Sequence, residues 1–203
     1  MTHDELHQII SEKMNCSIQG VQHCQLKHFD YHRIVGPITK RKWLGTLDIN
    51  NVMKQYSKKY IDFQYLGTFP IDFKNIYPEV YNLRIQPGMR YGCVFNTDPS
   101  TESGEHWISL FIDEPKKSIC FFDSNGDLPQ IEIINFMNHL NKKNKYTISF
   151  NNRRHQKKDG NCGLYAINFI LMQLNGISCR AFQYASIPDE SMDIARSKLF
   201  RRQ

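Results

Sequence analysis

The chain is 203 residues long, carries a net charge of +6, and is 40% hydrophobic and 12% aromatic, which is one domain's worth of sequence with enough apolar material for a real core. Its 23% of charged residues is ordinary for a globular protein, so wholesale disorder is excluded. The longest apolar runs fall far short of the ~20 residues that a membrane-spanning helix needs, so no membrane span is expected.

In chain order, Thr2 and Glu5 form a capping-box pattern, and Leu6, Ile9, Ile10 and Met14 follow at helical spacing; together they predict a short N-terminal helix. No basic segment followed by an apolar one precedes it, so no secretory signal is seen. The six cysteines (Cys16, Cys24, Cys93, Cys120, Cys162, Cys179) are scattered. They are therefore expected as free thiols of a soluble protein made in a reducing compartment. Cys16, Cys24, His28 and His32 have the side chains of a zinc site, but seven residues separate the two cysteines, wider than structural zinc usually shows; no metal is expected.

Residues 47–60 read as an amphipathic helix with Leu47, Ile49, Val52, Met53 and Tyr56 on one broad face. Residues 65–90, with Pro70, Pro78, Pro87 and Gly88, predict short strands, turns and one short helix. Three apolar runs follow, 91–95, 106–112 and 118–122, expected as neighbouring strands of a sheet buried on both faces. A helix over 128–140 and a strand over 146–150 come next. Residues 162–174 are apolar almost all round, which predicts a central, buried helix. Pro188 suits the first turn of a last helix, whose basic end (Arg196, Lys198, Arg201, Arg202) suits the negative end of its dipole. Helices first, then sheet and helices, gives an α+β fold.

Two basic clusters account for the charge: Lys40, Arg41 and Lys42, and a denser set of Lys142, Lys143, Lys145, Arg153, Arg154, Lys157 and Lys158. Such patches favour nucleic acid or another polyanion. A merely solvated basic surface is the plainer reading, since no nucleic-acid-binding motif accompanies them.

Four residues carry a chemistry. Cys162 opens a helix after the turn pair Gly160-Asn161, where unpaired backbone N–H groups favour a thiolate. That field is worth only about 0.3–1 kcal/mol at an exposed site, so a neighbouring imidazolium must do the rest. Of the eight histidines, only His106 combines a strand end, a following Trp107 and a carboxylate, Asp123, at the end of the next strand. Antiparallel pairing of those strands would bring His106 and Asp123 together, where the carboxylate can fix the imidazole's tautomer. Gln156 can offer a side-chain N–H to the same space as the Cys162 backbone N–H, as an oxyanion hole requires. On the residues alone each has an ordinary alternative: Cys162 as a small buried residue, His106 as a structural histidine, Asp123 as a turn residue, Gln156 as a surface amide.

The order His106-Trp107, Asp123, then Gln156-x₅-Cys162-Gly163 resembles the SUMO-protease and adenain clan of cysteine proteases. Further stretches, among them 92–98, 104–113, 154–156 and 187–192, resemble polyprotein-processing proteases of large nucleocytoplasmic DNA viruses, of the African swine fever virus type. The likeness covers roughly residues 36–202, so residues 1–35 are read as an N-terminal extension and 36–203 as a catalytic domain. The resemblance implies a papain-like core: a central mixed sheet flanked by helices with the cysteine at a buried helix N-terminus. It implies Cys162 as nucleophile, His106 as general base and acid, Asp123 as orienting group and Gln156 as oxyanion donor. Asp123 stands where the swine fever type is expected to carry Asn; either can orient the imidazole. It further implies cleavage of viral structural polyproteins after Gly-Gly pairs during virion maturation, in the virion core and the cytoplasmic virus factory, with no obligatory cofactor. Trp107 matches the Trp that covers a glycine-only tunnel in the clan, and Trp43 lies where a second such Trp is found, although Gly45-Thr46 breaks the usual pattern; both also suit core aromatics. A deconjugase acting on SUMO or ubiquitin would share these catalytic residues, and a basic virion protein with a defunct site is a third reading. Virion DNA could concentrate or stimulate the enzyme through the basic patches.

Overall fold

Residues 32–142 and 144–203 are described by a computed structural model of the chain; the helix expected near the N-terminus, Cys16, Cys24, His28 and Lys143 lie outside the described residues. The elements are β1 (Ile34–Val35), α1 (Thr46–Lys59), β2 (Phe63–Phe69), α2 (Phe73–Ile76), α3 (Pro78–Tyr81), β3 (Arg90–Asn96), β4 (Trp107–Asp113), β5 (Ser118–Phe122), α4 (Ile131–Asn141), β6 (Thr147–Phe150), α5 (Cys162–Leu174), α6 (Ala181–Tyr184), α7 (Asp189–Leu199) and β7 (Phe200–Arg201).

A five-stranded sheet runs in the order β2-β3-β4-β5-β6. Its centre is antiparallel, β3 to β4 and β4 to β5, and its two outer pairings are parallel. All seven residues of β4 are buried, because both faces of the sheet are covered and successive side chains point to opposite faces. Trp107 and Phe111 join a core with α1, α5 and α7. Ile108, Leu110 and Ile112 join a second core with Phe73 and the α4 residues Ile133, Phe136 and Met137. β1 and β7 form a separate parallel pair.

α5 is buried at every position, as its all-round apolar sequence requires, and it packs on β4 and β3. α1 presents Ile49, Val52, Met53 and Tyr56 inward; the Asp48 carboxylate accepts the Gly45 N–H at its start (2.9 Å). Helix α4 starts three residues later than the sequence suggests. Pro129 disfavours helical geometry at the residue before it, so Leu128 stays outside the helix and 66% exposed. The proline-rich stretch holds two four-residue helices instead of one.

One expectation is corrected. Cys120 on β5 and Cys179, between α5 and α6, are joined as a disulfide with Cα atoms 5.9 Å apart, a spacing that allows the bond. Free thiols were expected throughout because a sequence separation of 59 gives no local signal of pairing; the α+β packing brings the two cysteines together. Cys93 and Cys162 are free.

Candidate active site

His106 stands immediately ahead of β4. Its carbonyl accepts the Thr97 N–H (2.9 Å), and the Asn96 side-chain oxygen holds the Glu105 N–H (3.1 Å). The link between β3 and β4 is therefore tied down just where the imidazole leaves it. Gly104 adopts φ +89, and a Cβ there would lie 2.6 Å from the Asn96 amide nitrogen; only glycine fits that turn.

Asp123 follows β5 directly. The β4–β5 register places Ser109 opposite Phe122, so His106 and Asp123 leave adjacent strands at one edge of the sheet. The His106 Nε2–Asp123 Oδ1 distance is 2.7 Å. Asp123 Oδ1 also accepts the Asn125 N–H (2.7 Å), so its turn role and its contact with the imidazole coexist. Asn151, fully buried just past β6, brackets the Asp123 backbone: its side-chain oxygen accepts the Asp123 N–H (2.9 Å), and its amide donates to the Asp123 carbonyl (2.6 Å).

The imidazole of His106 lines the same cleft as Cys162, close enough for the two to interact. Burial by itself pulls its pKa down; the hydrogen bonds to Asp123 and Cys162 and the negative charges of both outweigh burial and push it up to about 10. The favoured form of His106 is thus an imidazolium beside the Asp123 carboxyl and the Cys162 sulfur. An imidazole so placed can hold the thiol proton and deliver it to a leaving group.

Cys162 is the first residue of α5 and is only 3% exposed. Gln156 is buried, and its side-chain oxygen accepts the Ser124 hydroxyl proton (3.0 Å). The Ser124 carbonyl accepts the N–H groups of both His155 (2.8 Å) and Gln156 (2.9 Å). With the amide oxygen of Gln156 taken, its N–H₂ end is left for the cleft. That cleft has a volume of about 440 Å³ and is lined by His106, Asp123, Gln156, Cys162, Trp43 and Leu128, among others. A second cleft of about 580 Å³ adjoins it, lined by both Trp43 and Trp107. The Trp107 indole N–H donates to the Leu44 carbonyl (2.9 Å), which fixes Trp107 beside the segment that bears Trp43.

All six residues singled out in the sequence thus converge on two connected clefts. The neighbouring His155 belongs to the scaffold. Its Nε2 donates to the Phe182 carbonyl (3.0 Å), and its Nδ1 accepts the Ile187 N–H (3.1 Å). Burial pushes its pKa down to about 4, so it is neutral at pH 7. Ser124 and Asn151 escaped the sequence reading. Ser124 is adjacent to Asp123 and could have been flagged for that; Asn151 acts through the parallel β5–β6 pairing, which one sequence does not reveal.

The lysines between Gln156 and Cys162 are partly engaged: Lys158 pairs with Glu190 (3.0 Å), and the Lys157 N–H bonds Asp189 (3.1 Å). Gly160 packs against the Arg41 carbonyl, so the Lys40–Lys42 cluster and the 157–158 loop lie side by side. Among the described residues no group of three or more His, Cys, Asp or Glu side chains could hold a metal ion. No helix among them is long and apolar enough to cross a membrane.

Comparison with known proteins gives one consistent result. The Ulp1 protease family, C-terminal catalytic domain, matches residues 94–203. A putative thiol protease of Acanthamoeba polyphaga mimivirus is 29% identical over 187 residues, covering 86% of this chain and 62% of the relative; the chain thus spans less than two thirds of that protein. A SUMO-1 cysteine protease of African swine fever virus is 28% identical over 192 residues, covering 82% of this chain and 70% of that one. Among solved structures, a crystal structure of an African swine fever virus protease superposes with a TM-score of 0.72 at 23% identity, over 99% of this chain and 90% of that one. The Ulp1 protease domain solved in complex with Smt3, the yeast ortholog of SUMO, gives 0.52 at 13% identity over 85% and 92%. The fold is the SUMO-protease type, an α+β mixed sheet flanked by helices.

Proposed function

This chain belongs to the Ulp1 protease family and is a cysteine peptidase, and on that premise we propose that it is a viral endopeptidase that cleaves structural polyproteins after Gly-Gly pairs during virion maturation. The observation that carries the reading is the imidazole of His106, bonded to Asp123 at 2.7 Å and sharing one cleft with Cys162 at the head of α5.

The steps follow from that geometry. The Cys162 thiolate attacks the carbonyl carbon after the second glycine, and the carbonyl π electrons move onto oxygen. The Cys162 backbone N–H and the Gln156 amide receive that oxyanion; each such donor is typically worth about 10²–10³ in rate. His106 gives its proton to the departing amine as the C–N bond breaks, leaving a thioester. It then takes a proton from water, whose oxygen attacks the thioester and releases the thiolate. Asp123 keeps the imidazole in the right tautomer and supports its charge.

Specificity is assigned to Trp43 and Trp107. Both line the cleft next to the nucleophile, and a slot between two indoles leaves no space for a Cβ, so residues other than glycine are excluded by shape. The viral origin of the relatives supports a viral setting; the polyprotein substrate and action in the virion core and cytoplasmic virus factory are carried by the sequence resemblance. The adjoining basic segments at 40–42 and 157–158 support nonspecific contact with DNA near its substrate. Deconjugation is the second reading, favoured by the likeness to proteins described as SUMO-1 cysteine proteases. One experiment separates them: the enzyme is given a Gly-Gly-x viral-type peptide, a SUMO precursor and a ubiquitin precursor in parallel, with products mapped by mass spectrometry. Cleavage of the peptide after Gly-Gly, at a kcat/KM above that for either precursor, is expected. Cleavage of a precursor alone overturns the polyprotein reading.

A further inference from the structure

Arg196 in α7 is 1% exposed, although the sequence marks it only as a charge suited to the negative end of the helix dipole. Among the described residues no carboxylate oxygen lies within 4 Å of its guanidinium to form an ion pair. It binds three oxygens of neighbouring segments instead: the Pro37 carbonyl (3.0 Å), the Gly160 carbonyl (3.1 Å) and the Asn161 side-chain oxygen (3.0 Å). Burying a cation without a bonded anion costs several kcal/mol. Burial lowers its pKa, and Asp193 on α7 and Asp48 on α1 act in the opposite sense, favouring its charge.

The bond to Asn161 has a specific consequence. Asn161 is the N-cap of α5, and an N-cap asparagine ordinarily turns its oxygen back onto the first-turn N–H groups. Here no such side-chain bond exists. The oxygen is held by Arg196, and the amide faces Asp193 (3.4 Å). The first-turn N–H groups beside Cys162 are therefore not consumed by the cap, and no carbonyl dipole is folded against the sulfur. The same guanidinium ties Gly160 to the Pro37 segment. There the two segments come close together, since a Cβ on Gly160 would lie 1.8 Å from the Arg41 carbonyl oxygen.

We infer that Arg196 is a positioning residue for the reaction: it withholds the Asn161 side chain from the helix cap and clamps the Gly160–Asn161 turn, so that the backbone N–H of Cys162 stays aimed at the oxyanion. The inference rests on the reading of Cys162 as nucleophile. It is tested with a fluorogenic peptide carrying Gly-Gly before the reporter, with the corresponding Gly-Gly aldehyde as a probe of the oxyanion position, and with Cys162→Ala as the control.

Arg196→Met is expected to lower kcat at least tenfold with KM within twofold, to weaken aldehyde binding by a similar factor, and to leave the alkylation rate of Cys162 by iodoacetamide within threefold. Arg196→Lys keeps the charge but cannot span the Pro37 carbonyl with one nitrogen and the Gly160–Asn161 oxygens with another; it is expected to fold, with kcat reduced about fivefold and KM unchanged. Wild-type kcat and aldehyde affinity in a folded Arg196→Met protein overturn the inference, as does a raised KM with kcat held. Where Arg196→Met does not fold, Arg196→Lys decides: reduced kcat with weakened aldehyde binding supports the clamp, and full kcat overturns it. Full activity in Cys162→Ala would instead remove the nucleophile reading beneath it, so the two failures are distinguishable.

Discussion

Replacing Ser124 by alanine tests how the oxyanion site is built. Ser124 is 1% exposed, and its hydroxyl donates to the Gln156 side-chain oxygen at 3.0 Å. The substitution removes that one hydrogen bond and leaves the backbone bonds from His155 and Gln156 to the Ser124 carbonyl in place. A neutral hydrogen bond of this kind is worth about 1 kcal/mol net. With about 1.4 kcal/mol per factor of ten, the Gln156 amide loses at most a factor of roughly five in its preference for presenting N–H₂ to the cleft. Ser124→Ala should therefore lower kcat about two- to fivefold with KM unchanged. Gln156→Ala, which removes the donor itself, should lower it about 10²–10³-fold. The decisive assay is the double variant. If Ser124 acts through Gln156, Ser124→Ala has no further effect on kcat in the Gln156→Ala background, because the group it orients is gone. A fivefold loss that multiplies onto that of Gln156→Ala would refute the reasoning and return Ser124 to a purely structural part.

Three further outcomes follow from the same geometry. The His106 imidazolium, held up to about 10 by Asp123 and Cys162 against burial, should keep the enzyme active well above pH 8; in Asp123→Ala the alkaline limb of the kcat/KM profile should move to lower pH. His155 is neutral in the fold with a pKa near 4, against 6.5 for the free side chain. Between those values the unfolded chain binds the extra proton, so stability is fully present above pH 6.5 and falls as pH drops toward 4, by of the order of 3 kcal/mol; denaturant melts across this range should show the slope, and His155→Gln should flatten it. Gly160→Ala should destabilise the protein and abolish activity, since φ is +91 and the new Cβ would meet the Arg41 carbonyl at 1.8 Å; a wild-type melting temperature and kcat would contradict the close approach.

The parts of the fold legible in the sequence were those written as local periodicity. The β4 and β5 runs and the all-apolar α5 are continuous because they are buried on every side, and their positions follow from that alone. His106, Asp123 and Cys162 were legible because each stands at an element end, where a side chain can be both fixed and exposed, and Gln156, within the loop before α5, through its spacing from Cys162. What could not be read depends on pairing between distant segments. The Cys120–Cys179 bond and the burial of Arg196 arise from α5 and α7 packing beside the sheet, the Asn151 bracket on Asp123 from the β5–β6 pairing, and no spacing in the chain announces them. Leu128 was drawn into a helix by its apolar character although Pro129 forbids that geometry; freed, it lines the cleft beside Trp43.

The most direct test of the account is the kcat/KM for a peptide containing Gly-Gly-x, measured for the wild-type enzyme and for Cys162→Ala at equal folded concentration, with the cut bond identified by mass spectrometry. Cleavage after the second glycine by the wild type, and a loss of at least about 10³-fold in the variant, is the predicted result. Undiminished cleavage by Cys162→Ala would contradict it.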